Sequence, residues 1–139
     1  MSRSGYSDDY GEDNSGYLYR GAVASAIKGR RGQAFLKEML AALDALPEKK
    51  LIAGELVEPD TGAVCAIGAV GKARGIDMLG LDYEDADKVS AVFGIASAMA
   101  REVVFENDDD FGFNIKETPE QRFARMRRWI VKQILPATP

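Results

Sequence analysis

The chain has 139 residues, of which 46% are hydrophobic and 29% charged, and its formal net charge is −4 at pH 7. This composition is typical of a globular domain, and no segment reaches the roughly 20 consecutive apolar residues of a membrane-spanning helix. Histidine is absent and Cys65 is the single cysteine, which excludes an internal disulfide and the common Cys/His zinc sites.

Residues 1–16 are polar and acidic, and their composition predicts a flexible acidic tail before a single helical domain over residues 17–139. Tyr6, Tyr10 and the adjoining Tyr17 leave open that the tail docks on the domain or on a partner. It lacks the basic-then-apolar pattern of a secretion signal. We therefore expect a cytoplasmic protein without membrane contact.

Two helices are predicted next, over residues 17–28 and 33–46. In the second, apolar residues recur at steps of three and four, and Pro47 ends the helix. Residues 51–57 and 63–66 are short apolar runs around a segment rich in turn-forming residues, and they predict a small β-hairpin.

Three short helices follow in the prediction. The first covers residues 67–73 and ends at a left-handed Gly75, the second begins at Asp82 and ends at Gly94, and the third runs from Ser97 to Glu106. The last helix of the chain begins at the capping box Thr118-Pro119-Glu120-Gln121 and extends to about Leu135. The fold class is thus mainly α, a compact bundle of about five helices with one small β-hairpin.

Basic residues recur on the last helix at steps of three, three and four, which places them near one face. This predicted basic face comprises Arg122, Arg125, Arg128 and Lys132, together with Arg30 and Arg31. It could bind phosphates or an acidic protein surface. Alternatively, it is the solvent side of a docked helix that complements the acidic parts of the same chain. The acidic net charge disfavours the nucleic-acid interpretation.

The acidic segment 106–112 and the single cysteine define a possible ligand loop, comprising Cys65, Gly68, Glu106, Asn107 and Asp108. As a calcium loop the segment fails, because Phe111 stands at position five, which requires an oxygen ligand, and Thr118 stands at position twelve, which requires a bidentate Glu. Cys65 lacks a histidine to activate it, so a buried structural cysteine is favoured. We expect no resident metal and no cofactor.

Three segments carry a resemblance to a family of small uncharacterised phage, prophage and bacterial proteins. They are Cys65-Ala66-Ile67-Gly68-Ala69, Glu106-Asn107-Asp108-Asp109 and the segment from Glu117 to Phe123. The resemblance implies no activity, and it suggests a small accessory protein. In structural terms, Cys65 and Gly68 would pack the junction before a helix, and Asn107 and Asp108 would hydrogen-bond a loop.

The sequence therefore favours a non-enzymatic interaction or accessory protein that acts on a host protein. A nucleic-acid-binding module that uses the basic face is the first alternative, and a small-ligand-binding protein or enzyme with an acidic-loop site is the second. The oligomeric state and the placement of Trp129 are left open.

Overall fold

The computed structural model describes residues 12–108 and 116–136, and for residues 12–19 it describes the backbone only. This part of the chain contains six helices: α1 (Glu12–Lys28), α2 (Arg30–Ala45), α3 (Ala66–Arg74), α4 (Ala86–Phe93), α5 (Ser97–Asp108) and α6 (Pro119–Gln133). The predicted mainly helical fold is confirmed. Within these ranges no helix has the length and apolar character needed to cross a bilayer.

The predicted N-terminal tail lies partly outside the description. Residues 1–11 are not described, whereas residues 12–16 belong to the first turns of α1, which begins earlier than the predicted residue 17. Between α1 and α2 only Gly29 separates two helical segments. The chain reverses so tightly there that a Cβ atom added to Gly32 would lie 1.9 Å from the carbonyl oxygen of Ala26.

Helix α2 lies at the centre of the bundle, in contact with α1, α3 and α6. Its apolar stripe supplies fully buried side chains at the predicted three- and four-residue steps. α5 contacts α1, α3, α4 and α6 from the other side. The largest fully buried side chains of the core include Leu36, Met39, Leu43, Leu51, Ile67, Met99, Met126 and Ile130. Each contributes about 1.5–3 kcal/mol relative to an exposed side chain.

The predicted β-hairpin is wrong, because no strand forms in the described residues and Val57 and Val64 make one isolated antiparallel bridge. The turn itself is present, with Gly62 at a φ of 76° and its N–H donating to the carbonyl oxygen of Glu58. Pairing ends at Cys65, whose N–H donates to the carbonyl oxygen of Leu56 while its side chain already caps α3. On the other arm, the Ile52 N–H donates to the carbonyl oxygen of Val64, whereas the Leu51 N–H donates to the carbonyl oxygen of Pro119.

Three of the predicted helix-end signals are confirmed, whereas α2 begins at Arg30 and not at residue 33, and the start of α4 and the end of α5 also differ. The capping box at Thr118 and Gln121 is confirmed, as are the left-handed Gly75 and the break at Gly94, which is also left-handed. Asp85, rather than Asp82, caps α4 by accepting the Lys88 N–H, while Asp82 accepts the N–H of Glu84 in the preceding turn. α5 extends to Asp108, so Asn107 lies in a helical turn and not in a loop.

Candidate functional site

The entry to α3 is built around the single cysteine. The Cys65 Sγ atom accepts the N–H of Gly68 at 3.3 Å and so caps the helix. Gly68 packs directly on the backbone of the preceding segment, because a Cβ atom there would lie 1.9 Å from the carbonyl oxygen of Leu56. Burial raises the pKa of the Cys65 thiol to about 12. The thiol is therefore neutral and enclosed at physiological pH.

Asn107 is the polar side chain most deeply placed in the described core, with 1% of its surface exposed. Its Oδ1 atom accepts the Ala66 N–H at 3.0 Å. Its Nδ2 group donates to the carbonyl oxygen of Ile52 at 2.9 Å and to Asp108 Oδ1 at 2.8 Å. Both amide hydrogens are thus satisfied inside the protein. Asn107 joins α5 to the irregular segment before α3.

Asp108 completes this buried cluster. Its Oδ1 atom also accepts the hydroxyl of Tyr83 and, at 3.4 Å, the N–H of Gly54. Burial first, then Cys65 and Asp108, raise the pKa of Tyr83, so its hydroxyl stays protonated and donates to the carboxylate. We call Cys65, Gly68, Tyr83, Asn107 and Asp108 the Asn107 cluster.

The Asn107 cluster contains four of the five residues predicted as a ligand loop, and the fifth, Glu106, precedes Asn107 on α5. Tyr83 was missed, because no sequence pattern relates it to α5. It lines two small cavities of about 210 and 200 Å³, and neither is lined by Cys65, Asn107 or Asp108. The polar atoms of Cys65, Asn107 and Asp108, which a ligand would use, are engaged in hydrogen bonds within the protein.

Arg122 and Arg125 have a structural placement. Both pair with Glu117, the Arg125 Nε atom at 2.6 Å from the carboxylate and the Arg122 Nε atom at 3.4 Å. The Arg125 and Glu117 side chains are only 15% and 11% exposed. The two arginines also donate to the carbonyl oxygen of Asn107 at 3.1 Å. They thus join α6 to the end of α5.

The other members of the predicted basic face lie at the surface. Arg128, Lys132, Arg30 and Arg31 are exposed, and none forms an ion pair with the residues that the structure describes. Helical spacing predicted that Arg122 and Arg125 share this exposed face. Both side chains instead turn inward and donate to the backbone carbonyl oxygen of Asn107 near the C-terminus of α5. The predicted face is therefore divided between internal and exposed arginines.

A surface groove between α1, α5 and α6 has a volume of about 290 Å³. Val23, Ile27 and the half-buried Trp129 supply apolar lining, and Arg20, Lys28 and Glu102 supply charged groups. Arg20 and Lys28 form no ion pair with any described residue. We call this feature the Trp129 groove. Its only signal in the sequence is the single tryptophan.

One side chain fixes the end of the Trp129 groove. The Gln33 Nε2 group donates to the carbonyl oxygens of Ile27 and Gln133, at 2.8 and 3.0 Å, and its Oε1 atom accepts the N–H of Leu135. The end of α1, the start of α2 and the end of α6 are thus held together. Arg30 and Arg31 line an adjoining cavity of about 280 Å³ at the α1–α2 junction.

The described residues contain no group of three or more Cys, Asp or Glu side chains placed to hold a metal ion. Comparison of the chain with protein-family models, with curated proteins and with solved structures finds no match. The Trp129 groove and the Asn107 cluster are therefore the two features of the described residues that bear on function.

Proposed function

We propose that this chain is a non-enzymatic interaction protein that binds another protein through the Trp129 groove. The observation that carries the proposal is the half-buried Trp129 beside Val23, with Arg20 and Lys28 unpaired among the described residues. Tryptophan and arginine are the residue types most enriched where truncation weakens protein–protein binding. A partner segment with an apolar side chain and neighbouring carboxylates fits this lining.

The Asn107 cluster supports a non-catalytic function. A nucleophilic Cys65 would require a lowered pKa and access to solvent, whereas burial raises its pKa to about 12. Asn107 uses both amide hydrogens inside the protein. The cluster is better explained as the connection between α5 and the segment before α3.

The resemblance to phage and prophage proteins makes a bacterial host protein the partner to seek first. The tagged chain is incubated with nuclease-treated bacterial lysate at low and moderate salt. The test variant is R20E/K28E, and the matched control is K37E/K72E, which makes the same number of charge reversals at exposed lysines outside the groove. We expect a defined protein to be retained by the wild type and the control and lost by R20E/K28E. Equal retention by all three would overturn the proposal.

The alternative is a nucleic-acid-binding module, and the observation that favours it is the exposure of Arg128, Lys132, Arg30 and Arg31 without ion pairs in the described residues. Affinity would then fall steeply with salt. In a parallel capture from lysate that has not been treated with nuclease, recovery of nucleic acid alone, lost in R128E/K132E, would support this alternative over the protein partner. The net charge of −4 makes it the weaker candidate.

A further inference from the structure

We propose that the chain associates with itself head to tail, the exposed face of α6 in one molecule docking on an acidic, apolar surface beside Leu79 in the next. The inference goes beyond the proposed function, because neither surface contributes a residue to the Trp129 groove. Both halves of the contact lie in the described residues. Each has exposed apolar side chains beside charges that are unpaired there, and the charges of the two halves are opposite in sign.

The accepting half surrounds a cavity of about 200 Å³ that is formed by the segments before and after α3. Val57 and Leu81 are half-buried in its wall, and Leu79, at 62% exposure, is the most exposed large apolar side chain of the described residues. The Asp77 carboxylate accepts the Leu79 N–H at 3.1 Å and so holds the turn that presents this side chain. We call this region, with Glu55 in its lining, the Leu79 surface.

The Leu79 surface is strongly acidic. Its lining comes from residues 53–60 and 77–84, and these two segments contain six carboxylates and no Lys or Arg. None of the six forms an ion pair with the part of the chain that the structure describes. They are Glu55, Glu58, Asp60, Asp77, Asp82 and Glu84. An exposed leucine among unpaired carboxylates fits an apolar side chain that is flanked by cations.

The complementary half is the outer face of α6. The helical positions of Arg128, Val131 and Lys132 place them within an arc of roughly 100°, on the side away from the buried Ile130, and all three are exposed. Leu135, which is 44% exposed, follows the end of α6 about one turn beyond Val131, which is 46% exposed. We call Arg128, Val131, Lys132 and Leu135 the Val131 face. Apolar anchors one turn apart on a helix are a common way for a helix to enter a groove.

The chain itself supplies the chemistry that the Leu79 surface requires, which makes a second copy the occupant. Leu79, Val131 and Leu135 are three of the five large apolar side chains that are exposed in the described residues. Within one molecule the two surfaces are held apart. Gln33 joins the end of α6 to the α1–α2 junction, whereas the Leu79 surface flanks α3. The contact therefore forms between molecules.

The symmetry of this contact predicts the kind of assembly. Two different surfaces meet, so the contact is heterologous, and every assembly leaves one Leu79 surface and one Val131 face free at its ends. Association therefore continues beyond the dimer as the concentration rises. One helix face on a small cavity buries little area, which predicts a weak contact at the low end of interface sizes.

Sedimentation velocity of the nuclease-treated, full-length chain tests the inference. We expect the wild type to shift from monomer to dimer and larger species as the concentration rises to roughly 1 mM, where even a contact of millimolar affinity is populated. L79N and V131N should each raise the concentration for half-association by roughly tenfold or more, because each removes an apolar anchor. Val and Asn have similar helix propensities, so V131N should preserve α6.

The matched controls for these two variants are V92N and F105N. They change apolar side chains that are 43% and 52% exposed and belong to neither surface, so both should associate as the wild type does. Far-UV circular dichroism checks that each variant retains its helices. A wild type that stays monomeric at every concentration, or equal effects of all four substitutions, would overturn the proposal.

Mixing the two anchor variants determines whether the contact is heterologous. L79N keeps its Val131 face and V131N keeps its Leu79 surface, so one intact contact can form between them. At a concentration where each variant alone is monomeric, we expect the equimolar mixture to form a 1:1 complex and to stop at two molecules. A wild type that stops at the dimer, or a mixture that associates no better than either variant alone, would contradict the head-to-tail contact.

Charge reversal separates specific pairing from the net charge. R128E/K132E should remain monomeric where the wild type associates, because its α6 face then has the same sign as the Leu79 surface. The matched control R30E/R31E reverses two exposed cations outside both surfaces and should associate as the wild type does. Equal losses in the two variants would show that association follows net charge and would overturn the proposal. Association that nuclease treatment abolishes would overturn it too, because nucleic acid would then link the molecules.

Discussion

Asn107 and Ala66, which are 41 residues apart, are joined by a hydrogen bond of 3.0 Å from the Ala66 N–H to Asn107 Oδ1. The same side chain donates to the carbonyl oxygen of Ile52. One amide therefore holds both ends of the irregular segment that lies where a β-hairpin was predicted. Side-chain hydrogen bonds to the backbone replace part of the ladder that paired strands would supply.

We expect N107L to lower the free energy of unfolding by about 3 kcal/mol, because two backbone groups lose their partners and each unsatisfied buried group costs about 1–3 kcal/mol. Urea denaturation followed by circular dichroism measures the change. F105L is the control on the same helix: Phe105 is 52% exposed, so its effect should stay within about 0.5 kcal/mol. A loss below about 1 kcal/mol for N107L would show that Asn107 is dispensable.

E117Q tests the internal role of the two arginines. Glu117 is 11% exposed and pairs with both Arg122 and Arg125, so the substitution leaves charged groups poorly compensated and should cost about 3 kcal/mol. The control is E120Q, since Glu120 is 60% exposed and lies 3.8 Å from Lys50. Its effect should be near zero. Similar unfolding midpoints for the two variants would contradict a structural role for Arg122 and Arg125.

Two glycine substitutions with opposite expected signs test the packing at the start of α3. G68A should destabilise the protein by about 3 kcal/mol or more, because the new Cβ atom must displace the Leu56 backbone from 1.9 Å. G21A introduces a methyl group with nothing within 4 Å of it, and helix propensity predicts a gain of up to about 1 kcal/mol. Thermal unfolding compares the two. An unchanged melting temperature for G68A would mean that α3 can move to accommodate the methyl group without loss of stability.

The raised pKa of Cys65 predicts that the free energy of unfolding depends on pH. In the unfolded chain a thiol ionises near pH 8.5, whereas in the folded protein the pKa is raised to about 12. Between these values the unfolded state binds fewer protons, so the free energy of unfolding falls as pH rises. The raised pKa of Tyr83 acts in the same direction.

We therefore expect the urea midpoint to decrease between pH 8 and pH 10, and to decrease less steeply in C65A. In native protein the Cys65 thiol should react with a chromogenic disulfide reagent only at the rate of unfolding. Rapid native labelling at pH 8 would contradict its enclosed position. The comparison uses pH slopes because C65A also removes the sulfur cap of α3.

Local signals in the sequence were sufficient for the number and order of the helices, although α1 and α2 begin earlier than predicted. The capping box at Thr118 and Gln121 and the left-handed Gly75 and Gly94 depend on neighbouring residues only. The hairpin prediction failed because short apolar runs around a turn do not reveal that the Leu51 N–H donates to the carbonyl oxygen of Pro119, far along the chain. Prediction was thus successful where the determinants are local and failed where distant segments supply hydrogen-bond partners.

The basic residues of α6 illustrate the same limit for function. Steps of three and four place Arg122 and Arg125 on one side of a helix, but they do not indicate what that side contacts. Only the folded chain brings Glu117 and the carbonyl oxygen of Asn107 to them. The Trp129 groove was equally hidden, because its lining comes from three helices that are distant in sequence.

The way Asn107 secures the segment before α3 has a practical consequence for labelling the protein. The segment is held at Ile52 and Ala66, whereas Pro59, Asp60 and Thr61 at the turn are exposed. An epitope or a fluorophore inserted at Asp60 would extend an exposed turn without entering the core. This turn contributes no lining residue to the Trp129 groove, so it offers an attachment point for immobilisation that leaves the proposed binding surface unobstructed.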